Sequence, residues 1–228
     1  MIYRTLRSIG HSLTMLQLPN GRRLSTMLVM TALLSSGMNS VTAEPVASNP
    51  AASAIVTSLH EKLLFIMQGS AELGYQGRYN AIESTVNSSF DAPLIAKVIM
   101  SRYWRKLDDT QKMDFIDLFK RLSVATYASR FDGYSGESFV EVSTEMLKKG
   151  RLLIKTELQR PDDVPVKLDY LMHEKEGQWL IISVIANGVN DLSLKRAEYA
   201  TVIKDKGFNG LIEDVAAKIR DMEMPDEE

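Results

Sequence analysis

Residues 178–188 read Gln-Trp-Leu-Ile-Ile-Ser-Val-Ile-Ala-Asn-Gly. Apart from a run near the N-terminus, no other stretch of the chain is so continuously apolar. In strict alternation Leu180, Ile182, Val184 and Ala186 share one side of a strand, and Trp179, Ile181 and Ile185 share the other. A strand that is apolar on both sides has to be covered on both sides, which predicts a central strand. The rest of the chain then supplies its cover.

Working back from Gln178, three further segments alternate with period two. Val166, Leu168, Tyr170 and Met172 alternate with Lys167, Asp169 and His173. Leu152, Ile154 and Leu158 alternate with Lys155, Glu157 and Gln159, while Val140, Val142 and Met146 alternate with Glu141, Ser143 and Glu145. Lys148-Lys149-Gly150, Pro161–Pro165 and Glu174–Gly177 supply the turns. Four strands joined by short turns predict an antiparallel meander.

Upstream, the period is helical. Asn49-Pro50 caps a helix carrying Ile55, Leu59, Leu63 and Ile66. The pattern loosens from Gly69 to Gly74, and Tyr75, Tyr79, Ile82, Val86 and Phe90 form a second stripe. Asp91 caps a third helix, and Asp108 with Gln111 forms a capping box for a long fourth. That helix shows two apolar stripes, Phe115, Leu118, Phe119, Leu122 and Ala125 on one side and Val124, Tyr127 and Phe131 on another, so it touches two neighbours. Downstream, two more helices are predicted, the first capped by Asn190 or Asp191 and ended by Gly207, the second capped by Asn209. Helices, then a curved four-stranded mainly antiparallel sheet, then two C-terminal helices give an α+β class with room for an apolar cavity between the layers.

Arg22-Arg23, the apolar run Leu24–Leu34 and the small residues of Val41-Thr42-Ala43 have the order of a secretory leader cut after Ala43. The run is short for a membrane span. The expectation is a cleaved segment 1–43, a single domain 44–228 and export to a bacterial periplasm. The chain has 27 basic and 29 acidic residues; four of the basic ones and no acid lie in residues 1–43, so the remainder carries a net charge of −6. Such a domain has no general attraction for nucleic acid. With no cysteine, disulfides, thiolate metal sites and cysteine nucleophiles are excluded.

The polar residues give no catalytic constellation. Beyond the leader the histidines are His60 and His173. His173 falls on the polar side of its strand and reads as solvated; His60, on the flank of a helix, has no partner nearby in sequence. Gly133-Tyr134-Ser135-Gly136 lacks the spacing and the preceding strand of a nucleophile elbow. No glycine loop for phosphate and no metal cluster is present. The expectation is therefore no enzyme, no cofactor and no metal. If the fold enclosed an active site, Tyr170, Tyr127 and Asp169 would be the candidates. A structural partner with a filled core is the third reading.

Several stretches, in order, resemble the MlaC family of periplasmic lipid-shuttle proteins, also described as toluene-tolerance auxiliary components. They are Ser101-Arg102-Tyr103-Trp104, Asp109-Thr110-Gln111, Phe115–Phe119, Tyr127 with Phe131, Pro165–Tyr170, Gln178-Trp179, Ala186–Val189 and Lys206–Leu211. Arg130–Phe139 looks more like the hopanoid-associated HpnM branch. The resemblance implies a phospholipid or hopanoid-type lipid held between sheet and helices. It also implies hand-over between an inner-membrane ABC transporter with its substrate-binding ring protein and an outer-membrane lipid transfer complex. Tyr103, Phe119, Leu122, Tyr127, Phe131, Leu180, Ile182, Val184 and Tyr199 are the residues nominated to contact the lipid. Of the two sides of 178–187, the aliphatic one with Leu180, Ile182 and Val184 is expected to line the cavity, because an unpaired polar group facing hydrocarbon costs about 1–3 kcal/mol.

Overall fold

A computed structural model describes residues 49–161 and 163–224 of the 228-residue chain. The expected leader, 1–43, lies outside the described residues. The elements are helices α1 (Pro50–Gln68), α2 (Ser70–Ser89), α3 (Ala92–Met100) and α4 (Asp109–Arg130), then strands β1 (Ser138–Leu147), β2 (Arg151–Arg160), β3 (Asp163–Lys175), β4 (Gln178–Ala186) and β5 (Val189–Asn190), and helix α5 (Asp191–Glu223). A 3-10 segment, Ser101–Lys106, joins α3 to α4. The class is α+β, as expected, with an antiparallel sheet in the order β1-β2-β3-β4-β5.

The helix starts follow local chemistry. Asn49 accepts a hydrogen bond from the Ala52 amide and Pro50 occupies the first turn. Asp108 and Gln111 cap each other reciprocally. Asn190, not Asp191, caps α5 by accepting from the Ser193 amide. Gly207 ends one helical arm, as expected, and the second follows it without an intervening loop, at φ 74° and ψ −175°. Gly74 breaks α2 in the same way, at φ 57° and ψ −176°. Both conformations lie in a region open essentially to glycine alone.

The sheet corrects three expectations. It has five strands rather than four: Asn187 and Gly188, with φ of 49° and 81°, form the tight turn that Asn-Gly favours, and they fold Val189–Asn190 back onto β4. β4 is consequently next to the edge rather than central. Its far side meets β5 at one end and Phe90 at Ile181, and the Asp91 amide donates to the Ile181 carbonyl.

The second correction concerns the sides of β4. Tyr170 faces Val184 and Leu171 faces Ser183, but Met172 faces Ile181, so Ile182 is an extra residue in a bulge. A bulge shifts the alternation by one residue. Trp179, Ile181 and Val184 therefore pack into one cluster with Tyr170 and Met172. The grouping of Val184 with Leu180 and Ile182 does not hold, and Ser183, on the opposite side to Val184, is buried.

The third lies in β1. A bulge at Val142 shifts the alternation and leaves Val140 and Val142 exposed, although alternation placed them inward; Met146 stays on the side of the buried Leu152, opposite it, but is itself exposed. Phe139 packs towards the helices, and Thr144, opposite the buried Ile154, is itself buried. In β2 and β3 the expected inward residues Leu152, Ile154, Leu158, Val166, Tyr170 and Met172 are buried, and Leu168 is half-buried.

The buried apolar residues form two clusters. One is built by α1, α2, α4 and the sheet: Ala52, Val56, Leu59, Leu63 and Ile66 lie with Ile82, Val86 and Val124 over Leu152, Ile154, Tyr170, Met172 and Ile181. The other is almost wholly helical and draws on α3, α4 and α5, including Ile95, Ile99, Phe115, Phe119, Leu122, Tyr199, Leu211 and Val215. The two apolar stripes of α4 serve one cluster each. Half-buried Tyr79 and Phe90 pack against both.

Candidate functional site

Where the two clusters meet, the side chains are aromatic. Phe90 lies 6.0 Å from Tyr127, and Tyr127 is stacked on Phe131 at 5.9 Å. On the helical side Phe115 is the hub, with Phe119, Tyr199 and Phe208 at 6.5, 6.1 and 6.4 Å. Offset and edge contacts at these separations are favourable arrangements for aromatic pairs.

Seven of the nine nominated residues divide between the two clusters. Phe119, Leu122 and Tyr199 are buried in the helical cluster and Tyr103 packs on its rim. Tyr127, Phe131 and Val184 pack on the rim of the sheet cluster. Leu180 and Ile182 lie outside both clusters, although Ile182 is buried. Phe115, Phe90 and Tyr79 were not nominated, although Phe115 lies at the centre of its cluster and the other two span the join. Their signal was present in the helical stripes, but a stripe does not say which of two neighbours a residue meets.

The hydroxyls of Tyr127 at the join, Tyr199 in the helical cluster and Tyr170 in the sheet cluster are held protonated. Burial, reinforced by the Asp191 carboxylate, pushes Tyr127 well up. Burial with Glu198 and Asp191 does the same to Tyr199. Burial and then Tyr127 raise Tyr170. Asp191, at the start of α5, thus acts on a tyrosine of each cluster. At neutral pH these hydroxyls are neutral donors, and none is prepared as a nucleophile or base. Asp169, the third candidate for catalysis, has its pKa raised by desolvation against the opposing effect of Lys155 and Lys167.

Both histidines have partners remote in sequence. His60 is buried, hydrogen-bonded through Nε2 to the Tyr170 hydroxyl at 3.0 Å and stacked on Phe139 at 3.9 Å. Burial lowers its pKa to about 4. His173, expected to be solvated, instead bonds Asp91 Oδ2 at 3.0 Å, and Lys175 reaches the same oxygen at 3.4 Å. Asp91 is buried, and its other oxygen caps α3 by accepting from the Leu94 amide. One carboxylate therefore fastens the α2–α3 corner to β3. Alternation placed His173 on the polar side of its strand, but it could not show that a helix corner covers that side.

Between α1 and the first two strands lies a recess of about 150 Å³, lined by Val56, Thr57, His60, Glu61, Leu64, Phe139, Glu141 and Thr156. It includes none of the nominated residues, and its volume is below the roughly 300–1,000 Å³ of pockets that enclose larger ligands. No group of His, Cys, Asp or Glu suited to a metal ion occurs among the described residues.

A sequence model of the MlaC protein family matches residues 57–217. The chain belongs to the MlaC family. Among solved structures, the fold is similar to that of the phospholipid-binding protein from Ralstonia solanacearum, determined in complex with a phospholipid. The TM-score is 0.67 at 18% sequence identity, and the match covers 76% of this chain and 99% of the other. The MlaC match takes in the aromatic join and most of both apolar clusters, leaving out Ala52 and Val56 at one end and Ile219 at the other. Among the described residues no helix is long and apolar enough to cross a membrane.

Proposed function

We propose that this MlaC-family protein is a periplasmic lipid carrier, which takes up a phospholipid or hopanoid-type lipid and passes it between an inner-membrane ABC transporter complex and an outer-membrane complex. The observation that carries the reading is the join between two separate apolar clusters, in a fold shared with a phospholipid-bound protein. An acyl tail is accommodated by parting the clusters along Tyr79, Phe90 and Tyr127, where the exposed lining is aromatic and aliphatic and the hydroxyls stay neutral. Gly74 precedes Tyr75, whose ring lies 6.2 Å from Tyr79 at this join, and Gly207 precedes Phe208 in the helical cluster, so the helices change direction at both points without bending their own hydrogen-bond ladders.

The energetics suit a container. A sixteen-carbon tail exposed to water costs about 0.8 kcal/mol per CH₂, roughly 12 kcal/mol in all. Apolar walls that close over the tail remove most of that cost and require no reactive group. Organic extraction of the purified protein followed by mass spectrometry tests the reading. About one lipid per chain is expected, and a protein that carries none and acquires none from donor vesicles overturns it.

A further inference from the structure

β1 forms an end of the sheet, and among the described residues no strand pairs with its outer side. It is ten residues long, Ser-Phe-Val-Glu-Val-Ser-Thr-Glu-Met-Leu. Edges of this length are ordinarily blunted by lysine, proline, a bulge or a covering element; β1 has a bulge at Val142 but contains no lysine, arginine or proline. It exposes three large apolar side chains, Val140 at 46%, Val142 at 57% and Met146 at 52%. The bulge at Val142 bends the strand but leaves that side chain in solvent.

The charge on this edge has one sign. Glu141 and Glu145 are the charged residues of β1. Glu145 is paired with Lys155, whereas Glu141 accepts from the hydroxyls of Ser53 and Thr144, at 3.2 and 2.8 Å, and has no cation among the described residues. Beside it opens the 150 Å³ recess, which Glu61 also lines. Its aromatic wall is the Phe139 ring with the His60 imidazole stacked on it, and His60 stays uncharged at neutral pH. Two carboxylates without a cation, next to an aromatic face in a space the size of one side chain, suit the end of a lysine or arginine.

We propose that β1 is a docking edge for an extended segment of a partner protein, one that alternates apolar residues with lysine or arginine and places a cationic side chain in the recess between α1 and β1. Backbone pairing along the edge supplies affinity, and the recess supplies selection. A second copy of this chain fits less well, since β1 would bring only acidic residues to an acidic edge. The proposal stands independently of lipid carriage.

The test uses the purified protein and two synthetic peptides, acetyl-Lys-Val-Thr-Val-Lys-Val-Thr-amide and its counterpart with Glu in place of Lys. Amide NMR shifts of residues 138–147 and sedimentation equilibrium are measured. The Lys peptide is expected to shift these amides saturably and to bind about tenfold more tightly than the Glu peptide, a difference of 1.4 kcal/mol. Val142→Lys should abolish the shift, and Glu61→Gln with Glu141→Gln should remove the preference for Lys. Val142 is largely exposed, so its variant should keep the wild-type melting temperature; should it not fold, Val140→Lys takes its place. Equal binding of both peptides, absence of any shift in β1, or a dimer that Val142→Lys disrupts would each overturn the proposal.

Discussion

Two buried polar residues hold the sheet to the helices, and each does so across a long stretch of chain. His60 is neutral in the folded protein, with its pKa lowered from 6.5 to about 4 by burial. Between those values the unfolded chain binds a proton that the folded chain refuses, so stability rises with pH across this window and falls as the pH drops through it. From pH 7 to pH 5 the loss is about 2 kcal/mol. Urea denaturation at the two pH values should show this difference, and His60→Gln should remove most of it. Asp91 works differently, as one carboxylate serving His173, Lys175 and the α3 cap. Asp91→Ala strips the cap and leaves His173 and Lys175 without their acceptor. A cost of about 3 kcal/mol is expected. Asp91→Asn keeps an acceptor for the Leu94 amide and should recover part of it in the same denaturation assay.

At the scale of elements, glycines and bulges set the geometry. Gly207 stands at φ 74° and ψ −175° with no atom close to where a Cβ would be. The obstacle to a side chain there is backbone strain, not crowding. Gly207→Ala should lower stability by about 1–3 kcal/mol, read as a reduced urea midpoint at unchanged slope. The bulge in β4 changes which substitutions test a lipid-lining wall. Ile181 is fully buried in the sheet cluster and Val184 packs on its rim. Ile181→Trp should overpack the cluster and cost about 1–3 kcal/mol. Val184→Trp, at a half-buried position, should fold near the wild-type melting temperature and, under the carrier reading, co-purify with less lipid. Loss of folding at Val184 equal to that at Ile181 would mean that this part of β4 is closed packing.

For the whole molecule the distinctive feature is that the two apolar clusters share α4 and meet at Tyr79 and Phe90. The two tryptophans report them separately, because Trp104 packs on the helical cluster and Trp179 on the sheet cluster. In single-tryptophan proteins made by Trp104→Phe or Trp179→Phe, fluorescence should give coincident unfolding midpoints, as expected for one cooperative unit. Phe90→Ala removes a ring from the join, and two separate midpoints are then expected. Coincident midpoints in that background would mean that α4 alone couples the clusters, and that parting them is too costly to admit a tail.

Much of this architecture was legible in the residues themselves. Caps at Asn49, Asp91 and Asp108, the change from helical to alternating period after Gly136, and the two stripes of α4 depend on interactions within a few residues, and these the chain determines by itself. The Asn187-Gly188 turn is equally local, yet only two residues follow it before α5 begins, too few for alternation to reveal a strand. What the tertiary structure alone decided was non-local. Bulges at Val142 and Ile182 reassign the sides of β1 and β4, because a strand adjusts its register to its partner and strict alternation has no means of expressing an extra residue. The pairing of His60 with Tyr170 and of Asp91 with His173 spans 110 and 82 residues. A buried polar group takes whatever partner the packing brings to it, so sequence pattern can mark such residues as inward or outward but cannot name what they meet. The same holds for the join between the clusters: the sequence shows that α4 has two neighbours, and only the packing of the helices shows that they are separate and that aromatic rings lie between them.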